Sequence, residues 1–349
     1  MAPPQSASFP FQPNPALPAE VELPGANVEA LGSWRLALRR LRRNRVALVA
    51  LGVFLAIVAC SLAAPLYSHY VARVGPNENN LTGKFERDGK RVYVVSPPPD
   101  SKPVGPGLTR RYLLGADQNG RDVMVRLLYG ARNSLFIGIV SALITTLVAV
   151  ALGLAAGYLR GPVDAVVRTA FDVIWSFPVL LLAIALGTAL ALGGLDLGVV
   201  TLQPDSLWIP TLVIATIFIP YLGRPIRGQV LALREQEFVE SAIAQGMSSM
   251  RIMVREILPN LASTILVFST LIVANNILTE AGLSFLGAGV QRPDPSWGNL
   301  IGDGVEHLSA APHLAIVPGL AIALTVLSLN VFGDGLRDAL DPRARARRG

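Results

Sequence analysis

The sequence predicts an all-α membrane protein with six transmembrane helices, and three observations carry that prediction. The 349 residues are 52% hydrophobic and 15% charged, with a mean hydropathy of +0.48. That balance is unlike a soluble globule. The apolar residues fall in long uncharged runs, most of them near the roughly 20 residues needed to cross a hydrocarbon core. Arginines crowd the ends of alternate runs, as they do when every second loop faces the cytoplasm.

The elements follow in order. Residues 1–33 are proline-rich and polar, without apolar periodicity, and are predicted to be a disordered cytoplasmic tail. No apolar core precedes Val46, so no secretory signal is expected. Residues 34–67 hold a basic helix and the first span, Val46–Leu66. Residues 68–133 form a long segment expected outside. The core, 134–335, contains Ser134–Tyr158, Val173–Leu192, Leu207–Leu222, Leu261–Thr279 and Leu314–Gly333, with a loop at 223–260 between the fourth and fifth spans. Residues 336–349 are a basic tail. Phe177-Pro178 interrupts the third span and predicts a kink. The fourth span is the shortest and reads as steeply set or broken near Pro220.

Arginine placement orients the bundle. Arg35, Arg39, Arg40, Arg42, Arg43 and Arg45 precede span one; Arg160 and Arg168 lie between spans two and three. Arg224, Arg227, Arg234, Arg251 and Arg255 lie between four and five, and Arg337, Arg343, Arg345, Arg347 and Arg348 follow six. Both termini and the 223–260 loop are therefore expected in the cytoplasm. The 68–133 segment carries all three lysines, Lys84, Lys90 and Lys102, yet long loops translocate largely regardless of charge. The net charge of +6 is concentrated beside a membrane span, where it favours anionic lipid and gives no support to a nucleic-acid role.

Enzymatic signatures are missing from the sequence. Gly83-Lys84 is followed by Phe85, so no phosphate loop of the Gly-Lys-Ser/Thr type exists. His69, His307 and His313 are scattered and Cys60 stands alone, so no metal site or intrachain disulfide is expected. Gly302-Asp303 and Gly333-Asp334 lie at span ends, without the partner motif an intramembrane aspartyl protease needs. A self-contained channel would leave the 223–260 loop without a purpose.

That loop contains the most informative stretch, Phe238-Val239-Glu240-Ser241-Ala242-Ile243-Ala244-Gln245-Gly246, with Leu258-Pro259 further on. It predicts a short helix with small residues, a left-handed glycine end at Gly246, a cap at Ser248 opening a second short helix, and membrane-helix entry at Pro259. The stretch resembles the EAA loop of ABC-importer permeases, matched by Glu240, Ala242, Gly246, Leu258 and Pro259. Ser241 replaces an alanine, and Glu256 stands where the pattern has isoleucine, with Ile257 next. Three further stretches resemble the dipeptide/oligopeptide branch, C-type subunit: Leu114–Val123; Leu283–Gln291 with Pro295–Asn299; and Gly333–Pro342. Arg292 departs from an apolar or proline position. The likeness runs from about Trp34 to Arg343.

The resemblance implies a type I ABC-importer permease fold, one N-terminal helix plus a five-helix core, in the inner membrane. It implies a second homologous permease subunit, two cytoplasmic ATPases that bind ATP and Mg, and an external substrate-binding protein. This chain would carry no cofactor of its own. Glu240, Ser241, Ala242, Gln245, Gly246, Leu258 and Pro259 would couple it to an ATPase. Di- or oligopeptide is the implied cargo, with nickel chelates or sugars as alternatives within the family.

Two patterns within the spans complete the reading. Asn275, Asn276 and Glu280 cluster toward the outer end of span five, either lining the pathway or making helix–helix hydrogen bonds, with simple interfacial placement a further reading for Glu280. Ala149, Gly153 and Gly157 form a small-residue stripe suited to helix packing. Before span two, Val123, Leu127, Leu128 and Ala131 recur at helical spacing, with Arg121, Arg126 and Arg132 off the stripe, which predicts an outer amphipathic helix lying at the interface.

Overall fold

A computed structural model describes residues 33–87, 89–98, 102–196, 198 and 201–340. The proline-rich tail and the basic tail after Leu340, with Arg343, Arg345, Arg347 and Arg348, lie outside the described residues.

The chain opens with α1 (Ser33–Arg43) and turns at Asn44, whose side chain accepts from Ala47 N at 3.1 Å and caps α2 (Arg45–Leu62). A short α3 (Ala64–Leu66) continues into a π-helical turn, Tyr67–Ala72. The segment that follows carries the hairpin β1 (Lys84–Arg87) and β2 (Lys90–Tyr93), antiparallel with Lys84 opposite Tyr93. Val94, Val95, Val104, Tyr112 and Ala116 give it a small core of its own.

Asp122 then caps α4 (Val123–Leu159), accepting from Met124 N at 2.9 Å and Val125 N at 3.1 Å. The stretch expected as a separate helix lying at the interface is the first turns of this rod. It is drawn inward because Val123, Val125 and Arg126 are all buried.

The expected third span is two helices, α5 (Gly161–Trp175) and α6 (Val179–Gly193), bent by 89°. Pro178 has no N–H to continue the ladder, which accounts for the break. A two-residue pairing, β3 (Leu195–Asp196) with β4 (Thr201–Leu202), leads on. The fourth span is longer than its apolar run and unbroken: α7 (Trp208–Arg234) passes through Pro220 and Pro225. Arg224, Arg227 and Arg234 therefore sit on a helix rather than in a loop. Arg224 reaches Asp172 at 2.8 Å and Arg227 grips Asp164, one bond at 2.7 Å, so polar α5 contacts support the extension.

After α8 (Glu237–Ala244) and α9 (Ser249–Arg251), a π turn (Ile252–Ile257) runs directly into α10 (Leu258–Phe285). The second short helix is thus the first turn of a membrane helix. Ser248 occupies the cap position, but its side chain makes no cap hydrogen bond. The chain closes with α11 (Trp297–Val305) and α12 (His313–Leu340).

Among the described residues five helices are long and apolar enough to cross a membrane, and a sixth crossing is available if α5 and α6 are one broken span. The α4–α7 pair is the centre. A Cβ on Gly153 would lie 2.9 Å from Gly223 O, and one on Gly157 would lie 2.6 Å from Val230 Cβ. Ala149 is fully buried in the same seam, so the small-residue stripe is a packing face.

Candidate functional site

Two ends of the bundle hold the candidate residues. At one end α8 hangs between α7 and α10. Val239 and Ala242 turn inward against Ile252, Met253 and Ile257. Their spacing places both on one helix face, and the small Ala242 lets α8 lie close to its own chain. Met247 N donates to Ala242 O at 3.1 Å and Gly246 N to Ile243 O at 2.9 Å, the paired closure of a Schellman end. Gly246 has φ +75 with open space around it.

The rest of the tip has no cover. Glu240, Ser241, Gln245 and Gly246 are exposed, and so are Phe238, Ile243 and Met250. Leu258 is half-buried and Pro259 exposed at the start of α10. Of the expected coupling residues, Ala242 therefore faces inward and four on the tip face outward. Sequence reasoning passed over Phe238, Ile243 and Met250. The signal was there: apolar side chains flanking the Val239–Ala242 face of so short a helix exceed what one contact can cover.

The π turn explains the displaced isoleucine. Its wider i→i+5 bonding puts Ile257 fully inside and leaves Glu256 half-exposed. Pro259, without an N–H, follows the widening.

At the opposite end the polar residues of α10 are enclosed. Asn276 lies 2.8 Å from Ser141 Oγ of α4. With its amide oxygen toward Ser141 it also accepts from Ala142 N at 3.1 Å, and its Nδ2 donates to Ile272 O at 3.2 Å. Glu280 is fully buried; Ser284 Oγ donates to its Oε1 at 2.7 Å. The Ser134 and Ser296 hydroxyls lie alongside, while Oε2 makes no hydrogen bond of normal geometry. Asn275, half-buried, falls on another face. Asn276 and Glu280, four residues apart, thus share the buried face, and Asn275 does not.

Above Glu280, α11 closes the end. Trp297 N donates to Ser134 Oγ at 3.1 Å, and Trp297 itself is buried. A Cβ on Gly298 would lie 2.2 Å from Ala281 O. An ion network fastens this hairpin to the segment before α4. Arg121 Nε meets Asp117 at 2.6 Å, and Arg292 Nη2 meets Asp303 at 2.6 Å. Arg126, 1% exposed, donates to Pro76 O at 3.1 Å and Asn77 Oδ1 at 3.2 Å. Nearby, outside the membrane helices, burial pushes the Asp122 carboxyl above the ordinary range, against the lowering effect of its three backbone N–H donors. Among the described residues no group of three His, Cys, Asp or Glu is placed to hold a metal ion.

The bundle thus has one end closed by its own chain and, at the other, a short helix with uncovered apolar side chains held between two spans. The family model described as "Binding-protein-dependent transport system inner membrane component" matches residues 149–346. A second, "N-terminal TM domain of oligopeptide transport permease C", matches residues 32–82. The chain belongs to the binding-protein-dependent transport system inner membrane components: it is a non-enzymatic, multi-pass inner-membrane subunit of an ABC transporter. It is 35% identical to the dipeptide transport system permease protein DppC of Alkalihalophilus pseudofirmus, across 91% of this chain and 92% of that one. It is 34% identical to the oligopeptide transport system permease protein OppC of Bacillus subtilis over the same shares. It is 35% identical to the glutathione transport system permease protein GsiD of Pectobacterium atrosepticum, across 90% and 92%. Among solved structures, an inward-facing MetNI methionine ABC transporter chain superposes with TM-score 0.52, at 16% identity, over 62% of this chain and 97% of its own. That likeness concerns the fold alone.

Proposed function

We propose that this chain forms half of the translocation pathway of an ATP-driven importer of di- or oligopeptides, paired with a second homologous permease subunit. The cargo reading rests on relatives named for dipeptide, oligopeptide and glutathione transport. A binding protein delivers the peptide from outside, and two ATPase subunits bind ATP and Mg. This chain supplies neither an ATP site nor a cofactor.

The observation that carries the coupling role is the α8 tip, with an anchored face at Val239 and Ala242 and exposed Phe238, Glu240, Ile243 and Gln245. A groove on an ATPase covers that exposed side. Closure of the ATPase pair pulls on α8, and the continuous run from α9 through α10 passes the pull into the membrane. The cargo-facing role in span five falls to Asn275, whereas Asn276 and Glu280 hold α10 against α4 and α11. The α8 end and both termini face the cytoplasm. There the exposed Arg39, Arg42, Arg43 and Arg45 beside buried Ala37 and Ala47 suit a helix lying on anionic lipid.

The test is uptake of labelled dipeptide into proteoliposomes holding the purified complex. Uptake that requires both ATP and binding protein supports the reading. Uptake without ATP would make the chain part of a channel. Labelling of Lys90→Cys from outside, with Arg347→Cys reached only after permeabilisation, checks the orientation.

A further inference from the structure

A polar cavity beside the end of α2 has no part in the transport reading. Its volume is about 700 Å³, and its walls include Pro65, His69, Tyr70, Arg73 and Glu78, with Tyr129 of α4 on one side. One wall is the π turn Tyr67–Ala72, which ends on Arg73 at φ 54 and ψ 39. That is left-handed backbone. It costs a residue with a Cβ free energy that glycine would not lose. A turn requiring only this geometry is better served by glycine or asparagine. An interaction of the arginine side chain would offset the cost, and among the described residues Arg73 is exposed and has no hydrogen bond or ion pair.

Two of the other polar side chains are already engaged. Ser68 Oγ donates to Val74 O at 2.6 Å, which fixes the turn. The Glu78 carboxylate accepts from Gly75 N at 3.1 Å and lies 3.8 Å from Arg111. The His69 ring stands edge-on to Tyr70 with centroids 4.8 Å apart. The charge left to act on a ligand is that of the Arg73 guanidinium, a planar donor matched to phosphate.

An apolar stripe climbs to the same place. Leu62, Leu66 and Tyr70 follow one another four residues apart and are 67%, 61% and 70% exposed. They continue the exposed apolar side of α2 up to the cavity mouth, and Tyr70 there is an amphipathic ring of the kind membrane proteins favour at an interface. A free anion satisfies Arg73 and leaves the stripe unmatched. A molecule with an anionic head and long apolar chains satisfies both.

We propose that this cavity is a headgroup site for a phospholipid of the adjoining leaflet, with Arg73 holding the phosphate and an acyl chain lying along Leu66 and Leu62. The test uses the full-length chain in its detergent-purified complex, delipidated and titrated with dihexanoylphosphatidylglycerol or with inorganic phosphate. Arg73→Gly should weaken the short-chain lipid about tenfold, the loss expected for one charge-assisted contact, and Arg73→Lys should keep most of the affinity. The glycine variant should melt no lower than wild type, because the turn is relieved rather than strained; Arg73→Asn, which also tolerates this backbone, should behave alike. Equal lipid affinity in wild type and Arg73→Gly overturns the proposal. So does inorganic phosphate binding as tightly as the lipid with the same dependence on Arg73, since that describes a free-anion site.

Discussion

The two ends of α10 are finished differently. At the α11 end Glu280, Ser284, Ser134 and Trp297 close on one another, and the ion network around Arg126 ties the hairpin to the segment before α4. At the α8 end Val239 and Ala242 are covered, but Phe238, Ile243 and Met250 stand open. Each end is coherent with its sequence. A chain that spends several buried polar residues to close one end has no physical reason to leave apolar side chains bare at the other, unless a partner covers them. Closure at one end is intramolecular; at the other, on the proposed reading, an ATPase subunit supplies it.

The contrast can be broken at either end, and the largest effects belong to the closed one. Trp297→Ala should cost about 3–5 kcal/mol through the cavity it leaves, read as a lower thermal midpoint of the purified chain. Arg126→Ala, which removes the buried donor to Pro76 O and Asn77 Oδ1 while Arg121 and Arg292 still hold Asp117 and Asp303, should cost less, about 1–3 kcal/mol. If either variant melts with wild type, the outer end is looser than its packing indicates.

Ala242→Trp comes next. Ala242 points into its own chain, so a large ring there should unseat α8 at a cost of about 1–3 kcal/mol. ATPase subunits should be lost on purification while the spans still insert. Gly246→Val should strain the left-handed end by about 1–2 kcal/mol, lowering stimulated ATP hydrolysis more than stability. Smallest in stability, within about ±0.5 kcal/mol, is the pair Phe238→Ser and Ile243→Ser. That pair sharpens the comparison most: stability should hold while ATPase co-purification fails. Full retention of the ATPases with both serines present would remove the docking role from these side chains.

Much of this was legible in the sequence, for identifiable reasons. Uncharged runs marked the spans because hydrocarbon accepts no lone charge, and Gly246 marked the end of α8 because few other residues adopt its backbone. Pro178 announced the break between α5 and α6, though not its right angle. Pro220 misled, because α7 carries it without interruption and ends only at Arg234; apolar length could not see a helix continued by polar pairs with Asp164 and Asp172. Arg126 misled more. A charged residue off an apolar stripe reads as solvent-facing, and only tertiary partners distant in sequence, such as Pro293 and Asp303, make its burial affordable. Asn276 and Glu280, four residues apart, share a buried face of α10, whereas adjacency along the chain conceals the 100° that separates Asn275 from Asn276.

The uninterrupted α4 has a mechanical consequence. At 1.5 Å per residue its 37 residues make a rod about 55 Å long, well beyond the ~30 Å hydrocarbon layer. Pivoted near its middle, such a rod tilted by about 10° carries its two tips roughly 5 Å in opposite directions. A displacement imposed beside Arg160 at one tip is thereby delivered, reversed in sense, to the Asp122 turn at the other, with no intervening joint to absorb it.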